Sequence, residues 1–238
     1  MSCPKYRVPK DLREKLAKER MKLAEFFRSI NLVSERVINA FLRVPREEFV
    51  RPEYVQYAYV DTPLPLYDGA TISAPSMCLL FCEYANLREG MEVFEVGTGS
   101  GYQAALIAEL VCNKTKKYER KPVCTMEISQ KLYEFGKDNL ERLCYSRFVD
   151  VRLGDATLGW PEKDRKFDVI IVTAAGTKIP PPWVRQLKVG GIILMPLEVG
   201  SDWQVLIKAQ KISEPDKIKI EHLEPVRFVY LKGKYGVF

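Results

Sequence analysis

The segment Val93-Phe94-Glu95-Val96-Gly97-Thr98-Gly99-Ser100-Gly101-Tyr102 constrains this chain more than any other. A short strand-like run enters a tight glycine loop. The loop opens onto Gln103-Ala104-Ala105-Leu106-Ile107-Ala108, a good helix former. Strand, glycine turn and helix together aim backbone N–H groups at a ligand. Gly97, Gly99 and Gly101 permit positive φ and remove the Cβ atoms that would block close approach. A nucleotide-type cofactor is expected here. The third glycine comes one residue earlier than in G-x-G-x-x-G, and Tyr102 takes its place. That spacing argues against a dinucleotide.

Around the loop, β and α patterns alternate. Strands are expected at 92–96, 123–128, 148–153, 167–173 and 191–197, and helices at 101–112, 129–143 and 182–188. Such alternation implies an α/β fold with a doubly wound, mostly parallel sheet. The near-continuous apolar run from Phe167 to Val172 suits a strand covered on both faces. Upstream, 10–30 reads as an amphipathic helix with Leu12, Leu16, Leu23, Phe27 and Ile30 on one face. A second helix is expected at 34–43 with Ser34 as its cap, and a third begins at Ser73, also as cap, with Met77, Leu80, Phe81 and Tyr84 inward. Residues 51–72, rich in Pro and Tyr, show no period, and so long an irregular stretch suggests a functional segment. Strands at 203–207, 218–220 and 226–230 lack intervening helices, so an antiparallel β extension is expected. The reading is one domain over 1–238: a helical extension (1–50), a substrate segment and cofactor core (51–200), and the β extension (201–238).

The chain has 37 basic and 31 acidic residues, a mild excess spread along its length. That is too diffuse for a nucleic-acid partner, and the basic stretch 114–121 reads as a solvated loop. No apolar run is long enough to span a bilayer, and residues 1–5 lack the core of a signal peptide. A cytoplasmic protein with no membrane partner is expected, and a monomer, because no sustained heptad pattern appears. The cysteines Cys3, Cys78, Cys82, Cys112, Cys124 and Cys144 form no C-x-x-C pair, and His222 is the one histidine. No zinc site follows, and reduced, buried thiols are expected, with one bridge left open.

In an open α/β sheet the ligand lies beyond the carboxyl ends of the strands. Glu95, Glu127 and Asp155 stand at three successive ends. A carboxylate at the second can accept from a ribose diol, and one after the third from an adenine amino group. Glu95 is placed to reach a cationic or hydroxyl-bearing ligand. Gly97 and Glu127 are 30 residues apart, against roughly 20 from loop to acid in dinucleotide sites. The excess falls in 113–122, read as an insertion.

The pattern from Glu95 to Gly101 resembles the first motif of class I methyltransferases, which use S-adenosylmethionine. The resemblance narrows with Val44-Pro45-Arg46-Glu47-Glu48-Phe49, Asp61-Thr62-Pro63-Leu64-Pro65 and Thr71-Ile72-Ser73-Ala74-Pro75. Gly154-Asp155, Gly159-Trp160 and Gln186-Leu187-Lys188-Val189-Gly190-Gly191 follow in order. Over roughly 35–235 the chain resembles the protein-L-isoaspartate O-methyltransferases. The resemblance implies methyl transfer to the free carboxylate of L-isoaspartyl residues in damaged proteins and peptides, which starts repair through a succinimide. It implies an active-site serine at Ser73, with Thr71 and Asp61 as second-rank candidates. It implies a cofactor shell of Ile72, Ser73, the loop Gly97, Thr98, Gly99, Ser100 and Gly101, then Glu127, Asp155 and Ala156. Ala156 departs from the glycine common there, Cys78 from a histidine found in some members, and Tyr230 from a proline. Two other readings stay open: a class I methyltransferase acting on RNA or a small molecule, and a non-catalytic adenosyl-ligand binder.

The chemistry suits this inventory. A carboxylate, with a pKa of roughly 4, is already ionised near neutral pH and needs no general base. One histidine is therefore no obstacle here, although it argues against a His-dependent hydrolase.

Overall fold

The structure, a computed structural model, describes residues 4–200 and 203–237. Two helices, α1 (Lys10–Ser29) and α2 (Glu35–Arg43), lead to a buried turn, Arg46–Glu48. Two very short strands, β1 (Leu64–Pro65) and β2 (Thr71–Ile72), pair antiparallel before α3 (Pro75–Tyr84). The core follows as β3 (Val93–Val96), α4 (Tyr102–Val111), β4 (Val123–Glu127), α5 (Gln130–Arg142), β5 (Val149–Leu153), β6 (Phe167–Val172), α6 (Pro181–Gln186) and β7 (Leu187–Glu198). Two long strands, β8 (Gln204–Ser213) and β9 (Lys217–Val226), complete it.

One seven-stranded sheet has the order β5-β4-β3-β6-β7-β8-β9. β5, β4, β3, β6 and β7 run parallel, and β8 and β9 add antiparallel at the edge. The chain winds from β3 outward through β4 to β5, then returns to the other side of β3 with β6. That reversal opens a crevice at the carboxyl ends of β3 and β6. All four residues of β3 are buried, Glu95 included, because helices cover both faces. α4 is buried at nine of its ten positions, since α2 and α3 pack over its outer side. Its sequence is accordingly apolar all round rather than striped.

Several elements differ from their sequence patterns. Ile30 is half exposed, because α1 turns its apolar side through Leu16, Ala24 and Phe27. On α3 the fully buried face runs through Cys78, Leu79, Phe81 and Cys82, with Met77 and Tyr84 partly buried against the core beside it. Ser34 precedes α2 as expected, but its Oγ donates to Glu83 Oε2 at 2.7 Å instead of capping. Ser73 does not cap α3 either. Ala74 holds that position, and Asp61 Oδ1, fifteen residues upstream, accepts the Ser76 N–H at 2.9 Å. α6 starts at Pro181 and ends at Gln186, and β7 begins at Leu187, where the pattern placed helix to 188 and strand from 191. The pairing of β6 with β7 shifts register between Phe167 and Val169, and Gly190 has φ +83°. A glycine can take that angle without the strand ending. The expected strand at 226–230 does not form. β9 ends at Val226, and Tyr230 makes an isolated bridge to Ala175.

The N-terminal segment is tied down by buried charge. Glu48 accepts the Arg7 and Val8 N–H groups at 2.8 and 3.0 Å and lies 3.1 Å from Arg142 Nη1. Cys78, Cys82, Cys112 and Cys124 are free thiols. Cys144 is disulfide-bonded, within the one bridge that the sequence left open. Spacing along a chain carries no information on the Cα separation that a bridge needs. Cys3 lies outside the described residues. The stretch 113–122 links α4 to β4 at the amino ends of the strands, opposite the crevice. Among the described residues no helix is long and apolar enough to cross a membrane.

Candidate active site

A cavity of about 210 Å³ lies at the carboxyl ends of β3, β4, β5 and β6. Gly97 and Gly99 form its floor, Met126, Leu132 and Ala156 its apolar walls, and Glu127 a polar edge. A smaller cavity of about 40 Å³ adjoins it and reaches Ile72, Ser73, Glu95, Thr98, Ser100 and Tyr102. Thr71, Gly97, Gly99 and Thr173 line both. The glycine loop therefore separates the two chambers, with Ser73 on one side and Glu127 on the other. A wider cleft of about 730 Å³, near Lys166, Arg185 and Asp216, holds none of the residues expected at the site.

The glycine loop is held open by its backbone. Gly97, Gly99 and Gly101 have φ of +92°, +52° and +84°, a region that L-residues enter at a cost of roughly 1–2 kcal/mol. A Cβ at Gly97 would stand 2.8 Å from Thr173 Oγ1. Thr173 Oγ1 donates toward the carbonyls of Val96 and Gly97 at 3.1 and 3.2 Å. It fastens the end of β3 to the end of β6.

The three strand-end acids have three different environments. Glu127 is buried; its Oε2 accepts the Gly99 N–H at 2.9 Å, and Oε1 accepts those of Ile128 and Ser129 at 2.9 and 3.0 Å. A carboxylate offers about four acceptor positions, so about one remains for a ligand hydroxyl rather than two. Glu95 is fully buried and faces the smaller cavity. Thr125 Oγ1 donates to Glu95 Oε2 at 2.5 Å and is itself 2.8 Å from Thr98 Oγ1. Glu95 Oε1 has no partner among the described residues. Burial pushes this carboxyl up to about 8, the Thr125 hydrogen bond pulls it down, and the charge of Glu127 pushes it up. It is a neutral acid at neutral pH, not the ready counter-charge its position in the sequence suggested.

Asp155 is not among the residues that line the cavity, whereas its neighbours Gly154 and Ala156 are. Its Oδ1 accepts from the Thr157 N–H at 2.9 Å and from Thr157 Oγ1 at 2.6 Å, an Asx turn. Its Oδ2 accepts the Lys234 N–H at 2.8 Å. This carboxylate latches the C-terminal strap, and a Cβ at Gly233 would overlap it. Three of its about four acceptor positions are thus taken, as on Glu127, which leaves about one for an adenine amino group. Asp61 lines neither chamber.

Several lining residues carried no sequence signal. Val229, Tyr230, Leu231 and Lys232 close one side of the larger cavity, the first two in the segment read as a strand and the others just beyond it. The Leu231 N–H donates to Ala175 O and the Ala175 N–H to Val229 O, at 2.7 and 2.8 Å. Asp68 closes the other side, where Ser129 Oγ donates to its carboxylate. Thr173, first after its strand, was findable as a fourth strand end.

Residues 18–236 match the family described as protein-L-isoaspartate(D-aspartate) O-methyltransferase. The chain belongs to that family. The protein-L-isoaspartate O-methyltransferase of Staphylothermus marinus is 43% identical over 227 residues, covering 94% of this chain and 99% of its own. That of Pyrobaculum islandicum is 48% identical over 199 residues, covering 84% and 91%. Among solved structures, a protein-L-isoaspartate O-methyltransferase superposes with a TM-score of 0.80 at 34% identity, over 91% of this chain and 67% of that one. The putative methyltransferase of this family from Plasmodium falciparum, in complex with S-adenosyl-L-homocysteine, gives 0.76 at 26% identity, over 89% and 97%. The family's parallel sheet with a terminal antiparallel pair is thus the architecture of this chain.

Proposed function

We propose that this chain transfers a methyl group from S-adenosylmethionine to the free carboxylate of L-isoaspartyl residues in damaged proteins and peptides, starting their repair through a succinimide. The observation that carries the reading is the juxtaposition of two chambers across one glycine loop, a larger one suited to an adenosyl group and a smaller one that reaches Ser73.

The residues present fit the cofactor. Two glycines without Cβ form the floor, Met126 and Leu132 offer apolar contact to a flat base, and Glu127 keeps an acceptor for a hydroxyl. The unpartnered oxygen of Glu95 lies under the loop, in the chamber shared with Ser73. Gly97 to Gly101, Ile72, Ser73, Glu127 and Ala156 would hold the group, and Asp155 contributes through the strap it latches. When bound, the sulfonium supplies an electrophilic methyl group.

The chain's own task is alignment and exclusion of water, since the acceptor is already an anion. Ser73 donates a hydrogen bond to one carboxylate oxygen and leaves the other free to react. Thr71, exposed beside it, shapes the opening, and Asp61 supports α3 from its first turn. No general base is needed, and His222 stands exposed on β9. Residues 68–71 and the strap 229–232 line the larger cavity, and the segment 51–72 with the C-terminal strands would take the peptide backbone, which suits substrates of varied sequence. In this reading 1–238 is one catalytic domain, a cytoplasmic monomer with neither nucleic acid nor membrane as partner.

Labelled S-adenosylmethionine offered matched aspartyl and isoaspartyl peptides tests the reading. A base-labile ester on the isoaspartyl peptide alone is the expected product; labelling of both peptides, or of neither, rejects it. Ser73→Ala should lower kcat/KM for that peptide roughly 10- to 100-fold, the worth of one hydrogen bond to a charged group. Unchanged turnover and unchanged peptide affinity would remove Ser73 from the mechanism.

A further inference from the structure

The turn Arg46–Glu48 buries three consecutive charged side chains. Two of them face the N-terminal segment: Glu48 holds residues 7 and 8, and Glu47 lies 3.6 Å from Arg20. Arg46 faces the site. Its Nε donates to Ala58 O at 2.9 Å and its Nη2 to Ser73 O at 2.7 Å. Its guanidinium lies over the Tyr102 ring, 5.0 Å from the centroid, and Tyr102 lines the chamber that Ser73 enters.

Ser73 needs such a support. β2 ends at Ile72 and α3 begins at Pro75, so Ser73 stands between two regular elements. Its carbonyl meets Arg46 and, at 3.7 Å, the weak donor Cys78 Sγ. We propose that Arg46 is a positioning residue for Ser73: its planar fork, fixed at one prong by Ala58, sets the Ser73–Ala74 peptide plane and thereby the direction of the Ser73 hydroxyl. This rests on the reading that Ser73 holds the acceptor carboxylate. A guanidinium bridges two carbonyls from one rigid plane, whereas a lysine brings a single nitrogen on a flexible stem. Small misplacements matter, because a shift of about 1 Å in a reacting group can cost roughly 100-fold in rate.

A double-mutant cycle tests this with Arg46→Lys, Ser73→Ala and their combination. Single-turnover labelling of an isoaspartyl peptide reads the rates, and calorimetry reads S-adenosylhomocysteine affinity. With Ser73 present, Arg46→Lys should slow methyl transfer about tenfold while the affinity stays within about threefold of the parent. With Ser73→Ala in place, the same change should cost less than about twofold, since residues acting through one another are not additive. Equal losses in both backgrounds overturn the proposal, as does no loss, or an affinity that falls in step with the rate. Should Arg46→Lys not fold, Arg46→Gln goes through the same cycle with the same outcomes. A Ser73→Ala variant as active as the parent fails the reading of Ser73 itself, a result distinct from additivity.

Discussion

Gly136→Ala should weaken this enzyme's hold on its cofactor, lowering S-adenosylhomocysteine affinity by roughly 10- to 100-fold. Helix propensity alone makes the opposite forecast. Gly136 lies inside α5, where alanine is favoured over glycine by about 1 kcal/mol. The structure reverses the sign. A Cβ at Gly136 would stand 2.7 Å from Gly99 O and 2.9 Å from Thr98 Cγ2. The first of these is backbone and cannot swing aside as a side-chain tip would. Either α5 or the glycine loop has to move, and overpacking of this kind costs typically about 1–3 kcal/mol. If the loop moves, the Gly99 N–H leaves Glu127 and the cavity floor shifts with it. Calorimetric titration together with a melting curve separates the two forces. A variant that binds as the parent does and melts higher would show that propensity wins and that the helix–loop contact is not tight.

The cofactor-free protein should lose stability as pH rises from about 5 to 8, and Glu95→Gln should abolish most of that slope. The Glu95 carboxyl is fully buried and raised from an ordinary 4.5 to about 8, first by desolvation and also by the charge of Glu127, against the opposing hydrogen bond from Thr125. Between those two values the native state holds a proton that the unfolded chain has released. Stability is therefore complete below the unfolded value and falls as pH climbs through the folded one. The contribution at stake is on the order of a few kcal/mol by pH 8. Glutamine keeps an acceptor for Thr125 and has no charge to bury. Urea unfolding at several pH values reads the difference directly. Parallel curves for the two proteins would mean that Glu95 ionises in the fold without penalty, and that its free oxygen is hydrated.

Much of this architecture is local chemistry. The alternation from β3 to β7 was legible because each strand is a short apolar run and each helix carries its own period or cap. Ser129, for instance, accepts the Leu132 N–H at 3.2 Å where the pattern places the start of α5. The glycine loop was legible because backbone freedom is a property of single residues. Elements whose form depends on remote partners were misread. Asp61, not Ser73, serves the first turn of α3, because the turn around 61 folds back onto it. The strap at 229–232 is held by Ala175 rather than by a neighbouring strand, so no alternation marks it.

The sequence by itself determined where the glycine loop and the strand-end acids fall, because spacing and residue type settle which groups can reach the carboxyl edge of a parallel sheet, whereas Ser73 entered only through the family resemblance. Only the tertiary structure decided what each acid does there. Glu127 accepts three backbone N–H groups and keeps about one position for a ligand, Asp155 latches the strap, and Glu95 is buried with its carboxyl raised to about 8. The physical reason is that a carboxylate's role follows from its solvation and its hydrogen-bond partners. Both depend in part on residues distant in the chain, as Lys234 is from Asp155, Gly99 from Glu127 and Thr125 from Glu95.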